Sequence, residues 1–248
     1  MFSRSDSKNA AKNLDGWDTY RSDNIIIQNS HLDHDDDCVS FKPNSTNILI
    51  QGLNCNSSHG ISVGSLGQYP GVFDVIENLY VYNVTLSNAT DGARLKVWPG
   101  ADVEKPPGWI GGGGAGIVRN VTYDTFHNIN NDGAIKIDQC YGAVSAAECE
   151  ADPSLVILTD VLFKNFYGTT SKKLDPVVGS LICSSEGVSI SPTCRAGPLL
   201  TSCFSRATTF APKMSLLRTQ VVELRSGCAD TKMRSCLTSM ALDVSPGR

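Results

Sequence analysis

Three consecutive carboxylates precede a cysteine in the stretch NSHLDHDDDCVSFK, residues 29–42. Asp35, Asp36 and Asp37 repel one another at this spacing, and such a run is most often a solvated turn. Crowded carboxyls also raise the pKa of at least one member, which keeps a protonated acid beside an ionised one. Hydrolysis of a glycosidic bond requires that combination.

Another acid, an imidazole and two cations recur at related intervals. Asp15 precedes Asp36 by 21 residues and His59 follows it by 23. If one coil of a solenoid has about that length, these side chains form a row, because neighbouring strands lie about 4.8 Å apart. Arg94 and Lys96 alternate in ARLKV, so they point to the same side of a strand. Paired cations beside carboxylates predict an anionic substrate, here an acidic sugar polymer.

Two interleaved sets of short strand-like runs must position these residues. Each run is rich in Val, Ile and Tyr and is bounded by Asn, Gly, Ser or Asp. The first set, mostly led by asparagine, comprises NIIIQN (24–29), NILIQG (47–52), NLYVYN (78–83), NVTYDT (120–125) and SLVILTDV (154–161). The second set comprises CVSFK (38–42), GISVG (60–64), ARLKV (93–97), AIKID (134–138) and SLICS (180–184).

The spacing of these runs indicates the fold class. Asn24 and Asn47 are 23 residues apart, and a repeat of this length with more than one strand is typical of a solenoid. We therefore predict an all-β, right-handed parallel β-helix over residues 12–190. A β-sandwich is the alternative, but the Asn-Gly and Asp-Gly pairs of hairpins are scarce. Residues 1–11 are predicted to be an unstructured remnant, and residues 191–248, where the repeats stop, an irregular or disordered tail.

Cysteine content and glycosylation sequons indicate the compartment. Nine cysteines and five Asn-x-Ser/Thr sequons are typical of a secreted protein, and the odd number leaves at least one thiol unpaired. The first residues lack the apolar segment of a signal peptide, and no run is long and apolar enough to predict a membrane span. Basic residues near the end of the chain are dispersed, so no nucleic-acid partner is expected. The sequons begin at Asn44, Asn56, Asn83, Asn88 and Asn120.

Other candidate sites are weaker. His31 and His34 lie beside the acids, but an i, i+3 pair outside a helix has no preferred ligand geometry, so no metal site is predicted. The glycines at 111–114 lack the Gly-Lys-Ser/Thr of a phosphate loop. Candidate aromatic contacts to sugar are Trp17, Tyr20, Trp98 and Trp109.

Four segments resemble, in order and spacing, the motifs of glycoside hydrolase family 28, the polygalacturonases. These are LDGWDTYRSDNIIIQN, DDCVSFK, SSHGISVGSLG and ARLKVWPG. The similarity covers residues 12–187 and is greatest to the fungal exo-polygalacturonases. It implies a secreted, monomeric β-helix that cleaves α-1,4-galacturonosyl linkages of pectic homogalacturonan with inversion, from the chain end. It implies no metal and no organic cofactor.

The resemblance also implies roles for the acids and the imidazole. Asp36 is expected to be the general acid, and Asp15 and Asp37 are expected to activate the attacking water. His59 is expected to support the protonation of the acid or to bind substrate.

The cations and cysteines have implied roles as well. Arg94 and Lys96 are expected to hold the galacturonate carboxylate. Disulfides are expected between Cys38 and Cys55 and between Cys140 and Cys149.

The sequence departs from the family pattern in three residues and in length. Leu14 replaces a threonine, Asp35 adds a third acid, and Leu95 replaces an isoleucine. Family members carry several more coils ahead of the first motif, so we expect an N-terminally truncated member. The alternative function is therefore an inactive β-helix fragment that at most binds pectin. Rhamnogalacturonan hydrolysis is disfavoured by the retained His-Gly and Arg-x-Lys patterns.

Overall fold

Short extended segments account for nearly all the regular structure. The computed structural model describes residues 12–101, 103–105, 109–143, 145–171, 173, 179–182 and 221–224. The elements are β1 (Trp17–Thr19), β2 (Asp23–Gln28), β3 (His31–Asp33), β4 (Asp37–Phe41), β5 (Ser45–Asn56), β6 (Gly60–Leu66), β7 (Phe73–Ser87), β8 (Ala93–Val97), β9 (Val103–Lys105), β10 (Trp109–Gly111), β11 (Ala115–Asn131), β12 (Ile135–Asp138), α1 (Ala146–Ala151), β13 (Leu155–Thr170), β14 (Gly179–Ile182) and β15 (Val221–Leu224).

Most strands stack into two sheets whose members alternate along the chain, and β9 pairs with β10 in a separate antiparallel ladder. The first, here called the cleft sheet, has the order β1-β4-β6-β8-β12-β14, and every pairing in it is parallel. The second, the long-strand sheet, has the order β15-β13-β11-β7-β5-β2, with β3 also paired to β5. Its pairings are parallel except β13 with β15. Each coil contributes to both sheets, which is a parallel β-helix.

The long strands bend where single residues adopt left-handed backbone. In β7 these residues are Asn78 and Asn83, with φ of 59° and 57°. The backbone pairing between β7 and β11 is interrupted at each of these residues. Each strand is therefore divided into three straight segments, here called arms. Asparagine is enriched at such positions because its short polar side chain tolerates positive φ. The asparagine that begins each asparagine-led run of the first set therefore marks a bend in the strand.

Side-chain amides stack across the coils at the first bend. Asn78 donates to Asn47 at 2.9 Å and accepts from Asn120 at 2.6 Å, while Asn47 donates to Asp23 at 2.7 Å. A second stack joins Asn56, Asn88 and Asn130 in the same way. These amide ladders satisfy polar groups on successive coils and fix the register between them.

Aligned apolar side chains fill the interior between the sheets. Phe126 stacks on Phe166 with ring centroids 4.6 Å apart, and Tyr123 stacks on Phe163 at 5.1 Å. All four rings are buried, and rows of Ile, Leu and Val continue the same pattern through the earlier coils. Each fully buried side chain of this size contributes about 1.5–3 kcal/mol relative to an exposed one.

The predicted fold class is confirmed. The sandwich alternative is wrong because every pairing in the cleft sheet, and every pairing but one in the long-strand sheet, is parallel. The two predicted sets of runs correspond to the long-strand sheet and the cleft sheet. One alignment differs: Ser154 heads the run at 154–161, but Asp160, with φ of 52°, occupies the bend position equivalent to Asn120. The helix α1, capped by Ser145, was not predicted because six residues show no helical period.

Both predicted disulfides are present. Cys38 is bonded to Cys55 and Cys140 to Cys149. Most of the region predicted as an irregular tail, residues 191–248, lies outside the described residues, as does the predicted remnant at 1–11. Within that tail, β15 is described and pairs antiparallel with β13. Among the described residues, no helix is long and apolar enough to cross a membrane.

Asn78 separates the two contributions of a ladder asparagine. Asn78→Gly removes its ladder bonds but suits the left-handed backbone, whereas Asn78→Ala removes the same bonds and also places a Cβ at positive φ. We expect Asn78→Ala to lower the free energy of unfolding by about 1 kcal/mol more than Asn78→Gly, measured by urea denaturation. Equal stability of the two variants would show that backbone strain at position 78 does not contribute to the free energy of unfolding.

Candidate functional site

Consecutive coils bring the predicted residues to the outer face of the cleft sheet. The backbone N–H of Gly16 donates to the carbonyl of Asp37 at 2.9 Å, and that of His59 donates to the carbonyl of Asp36 at 2.9 Å. The register between β4 and β6 shifts just after Asp37, which is a β-bulge. Bulges re-aim side chains locally, and this one lies at the acid pair.

Asp36 and His59 form one arm of the site. The Nδ1 atom of His59 lies 3.0 Å from Oδ1 of Asp36. Oδ1 of Asp36 also accepts a hydrogen bond from the backbone N–H of Asp37 at 2.7 Å. The carboxyl of Asp36 is partly buried and the imidazole is more exposed. A proton can therefore be carried by either partner of the Asp36–His59 contact, next to open solvent.

Asp37 has a different environment from its neighbour. Its side chain is only 1% exposed, and Oδ2 accepts from Nζ of Lys96 at 2.7 Å. Oδ1 accepts from the hydroxyl of Ser62 at 2.6 Å. A buried carboxylate needs such partners, because an unpaired charge in the interior is strongly destabilising. The adjacent acids Asp36 and Asp37 are thus held in distinct electrostatic settings.

Gly60, directly after His59, lets two coils approach closely. Its φ is +106°, and a Cβ added there would lie 2.4 Å from the carbonyl oxygen of Asp91. No side chain larger than hydrogen fits this contact without moving the backbone. Gly60 therefore brings the backbone that carries His59 close to the backbone of the next coil.

Asp15 belongs to a second cluster with Asp18 and Lys42. Nζ of Lys42 lies 3.0 Å from Oδ2 of Asp15 and 3.6 Å from Oδ1 of Asp18. Burial alone raises the pKa of Asp15, but hydrogen bonds with Asp18 and Lys42 outweigh it and hold that pKa below its usual value. Burial, followed by the hydrogen bond to Asp15, raises the pKa of Asp18 to about 6. Lys42 thus favours an ionised Asp15 beside a carboxyl that retains its proton in mild acid.

Arg94 lies on the side of the site opposite Asp18 along the stack of coils. Ser62 and Arg94 are aligned Cα partners of β6 and β8. Nε of Arg94 is buried without a hydrogen-bond partner, and the nearest carboxylate oxygen, Oδ2 of Asp91, is 3.9 Å away. Burial raises the pKa of Asp91, with Arg94 and Lys136 acting against this shift. Asp91 therefore neutralises Arg94 only weakly.

All six residues named from the sequence lie in one region of the structure. Asp36, Asp37 and His59 offer ligand atoms within 4.8 Å of one another, and Lys96 hydrogen-bonds Asp37. Arg94 is on the same strand as Lys96, and Asp15 precedes Gly16, whose backbone pairs with Asp37.

Several contacts of this region have no signal in the sequence motifs. Asp18 and Lys42 are in the quoted motifs but had no assigned role, and only the side-chain geometry shows the ion pairs of Lys42 with Asp15 and Asp18. Asp91 had no motif signal. Lys96 was expected to bind substrate, and here it contacts Asp37.

The other sequence candidates fare differently. Asp36 and Asp37 cluster with the imidazole of His59. Both ring nitrogens of His34 are buried without a hydrogen-bond partner. The ammonium of Lys96 beside Asp37 supplies the positive charge at this cluster. Trp98 is buried and packs against Tyr141, so it is not an exposed sugar platform. Trp17 is partly buried against the core, Tyr20 is exposed, and the side chain of Trp109 lies outside the described residues.

The buried ion pair gives a stability prediction. Lys96→Met leaves the Asp37 carboxylate buried without a cation, and we expect a loss of about 3–5 kcal/mol in the free energy of unfolding. The double variant Asp37→Asn/Lys96→Met should recover part of that loss, because the amide can still accept from Ser62. Urea denaturation of the two variants and the parent provides the test, and a near-neutral Lys96→Met would contradict the assigned pairing.

The Lys42 cluster gives a titration prediction. Lys42→Met removes the hydrogen bond and positive charge that favour ionised Asp15, so the pKa of Asp15 should rise. The pKa of Asp18 should also rise above about 6, since Lys42 opposes its upward shift. Carboxyl carbon titration by NMR measures both values. Lys164→Met, which removes a lysine from the long-strand sheet, should leave them unchanged.

Comparisons with known proteins agree with this architecture. The family model described as glycosyl hydrolases family 28 matches residues 3–192. The chain is 65% identical over 187 residues to exopolygalacturonase X-2 of Emericella nidulans, and 62% identical over 188 residues to an exopolygalacturonase of Cochliobolus carbonum. These matches cover 75% and 76% of this chain but 42% of each relative, so the chain spans less than half their length.

A solved structure is also similar. The endo-xylogalacturonan hydrolase of Aspergillus tubingensis superposes with a TM-score of 0.68 at 37% identity, over 81% of this chain and 55% of that one. Together with the match to the family model over most of the sequence, this shows that the chain belongs to glycosyl hydrolases family 28.

Proposed function

We propose that this chain carries the catalytic region of an inverting glycosidase that cleaves α-1,4-galacturonosyl linkages of pectic homogalacturonan from the chain end. The observation that supports it most is the pair of adjacent carboxyls in different settings. Asp36 contacts the imidazole of His59, while Asp37 is buried against Lys96. Family membership and the similarity to fungal exopolygalacturonases support the same substrate class.

Asp36 is the proposed general acid. Its proton passes to the glycosidic oxygen as the bond from that oxygen to the anomeric carbon breaks. The Nδ1 atom of His59, 3.0 Å from Oδ1 of Asp36, can share that proton and restore it after each turnover.

Asp15 and Asp37 are the proposed bases. The oxygen of the attacking water bonds to the anomeric carbon on the face opposite the leaving group, which inverts the configuration. One proton of that water passes to Asp15 or Asp37. Lys42 beside Asp15 favours the ionised form that this role needs. Lys96 pairs with Asp37 and holds that carboxyl group in place. The proposed step uses only side-chain acids and bases.

Arg94 is the proposed main contact for the substrate carboxylate. Its guanidinium has a buried Nε without a hydrogen-bond partner and can bind a carboxylate through two parallel hydrogen bonds. Lys96 is already engaged by Asp37, so its proposed role in binding substrate is shared with holding that acid in place.

We further propose that the protein works outside the cell as a monomer on pectin. The two disulfides favour an oxidising compartment, where such bonds persist. The proposed catalytic region is residues 12–190.

Hydrolysis of polygalacturonate by the purified chain tests the proposal directly. We expect release of reducing sugar, and a loss of about 10²-fold or more in Asp36→Asn, because the amide cannot donate the acid proton. Thermal melting of both proteins controls for folding. A folded chain that releases no sugar but binds polygalacturonate would favour the alternative, an inactive pectin-binding fragment. Activity that survives Asp36→Asn would refute the assigned acid.

Product analysis tests the direction of attack. An enzyme acting from the chain end releases galacturonate monomer from the first turnovers, whereas internal cleavage releases a range of oligomers. Chromatography of early products distinguishes the two.

A further inference from the structure

One column of the cleft sheet runs through the site and continues past it. Parallel register aligns Asp18 with Ser40, Ser40 with Ser62, and Ser62 with Arg94. The same register aligns Arg94 with Lys136 of β12. Aligned residues of a parallel sheet point to the same face, so Lys136 shares the cleft face with Arg94, one coil further along.

The described cations of the cleft differ in how firmly they are engaged. Lys42 and Lys96 make hydrogen bonds of 3.0 and 2.7 Å to Asp15 and Asp37. Lys136 lies 3.7 Å from Asp138, which is an ion pair too long for a hydrogen bond, and its side chain is 29% exposed. Like Arg94, it is held loosely enough to exchange its protein contact for a ligand.

The charge along this column changes sign. The coils before Arg94 carry Asp15, Asp18 and the exposed Asp35, with Lys42 offsetting part of their charge. Arg94 and Lys136 follow on later coils, each loosely paired with one acid. A polyanion is repelled by the first group and attracted by the second. The bulk of an anionic chain therefore extends from the acids toward the later coils.

The spacing of the two cations suits successive sugars. Neighbouring strands lie about 4.8 Å apart, so a polymer laid along the coil axis crosses one strand at a distance comparable to one sugar ring. Every sugar of a polygalacturonate carries one carboxylate. A cation on each of two successive strands can therefore contact two carboxylates of the same chain.

We propose that Lys136 forms a second carboxylate-binding position of the cleft, one coil beyond Arg94, and takes the uronate next to the one that Arg94 holds. This inference rests on the proposed function, since it assumes a galacturonate polymer in the cleft. Lys136 would select for unesterified substrate at a position away from the proposed catalytic acids Asp36 and Asp37. Lys136 is a binding residue and takes no part in proton transfer.

The test is binding by the full chain with Asp36→Asn, which prevents turnover, measured by calorimetry with trigalacturonate. Adding Lys136→Met should raise the Kd about tenfold, because a charge-assisted contact is lost. Lys136→Arg should bind like the parent, which excludes misfolding as the cause. With the fully methyl-esterified trimer, Lys136→Met and its parent should bind equally, since that ligand has no carboxylate.

Lys164→Met is the matched control, because Lys164 has similar exposure and a carboxylate partner, Asp124, on the other sheet. It should leave the Kd unchanged. Trigalacturonate binding that is insensitive to Lys136→Met, or absent in the parent, would overturn the position at Lys136. Hydrolysis by the unsubstituted chain is measured separately, so a failure at Lys136 alone leaves the proposed function standing.

Discussion

Coil-to-coil register is the constraint on which the rest of this structure depends. In a strand, successive side chains alternate between the two faces, so a slip of one residue would exchange the cleft side chains for core side chains. Three features hold the register: left-handed bends at equivalent positions, amide ladders through residues such as Asn47 and Asn78, and stacked rings such as Phe126 and Phe166. These features lie in the long-strand sheet, and the acids lie in the cleft sheet. Register fixed in one sheet thus positions side chains in the other.

The ion pair between Asp37 and Lys96 ties this scaffold to the site. It joins residues 59 positions apart in sequence and is nearly excluded from solvent. A buried pair of this kind is seldom the most stable filling of the space, since removing two charges from water is costly. Sites that violate the usual rules of stability are where function is expected. The pair keeps one carboxylate oriented while its neighbour, Asp36, stays accessible to an imidazole.

Charge is distributed unevenly along the cleft, and this relates the local chemistry to the direction of the substrate. Acids are concentrated on the first described coils, with Lys42 offsetting part of their charge, and the loosely engaged cations follow. Under the proposed function, this distribution favours placing a polyanion over the later coils.

Much of this could be read from the sequence, for definite physical reasons. Strand period, asparagine-led runs and repeat length determined the parallel β-helix, because each is a local consequence of backbone geometry repeated every coil. Motif spacing likewise brought Asp15, Asp36 and His59 together, since their separation is one coil. Contacts that depend on side-chain direction were decided only by tertiary structure. The pairing of Lys96 with Asp37 and the cluster of Asp18 with Lys42 join residues on different coils, where a bulge or a rotamer determines which atoms meet. Sequence spacing specifies which coil a residue occupies, and packing between coils decides what its side chain touches.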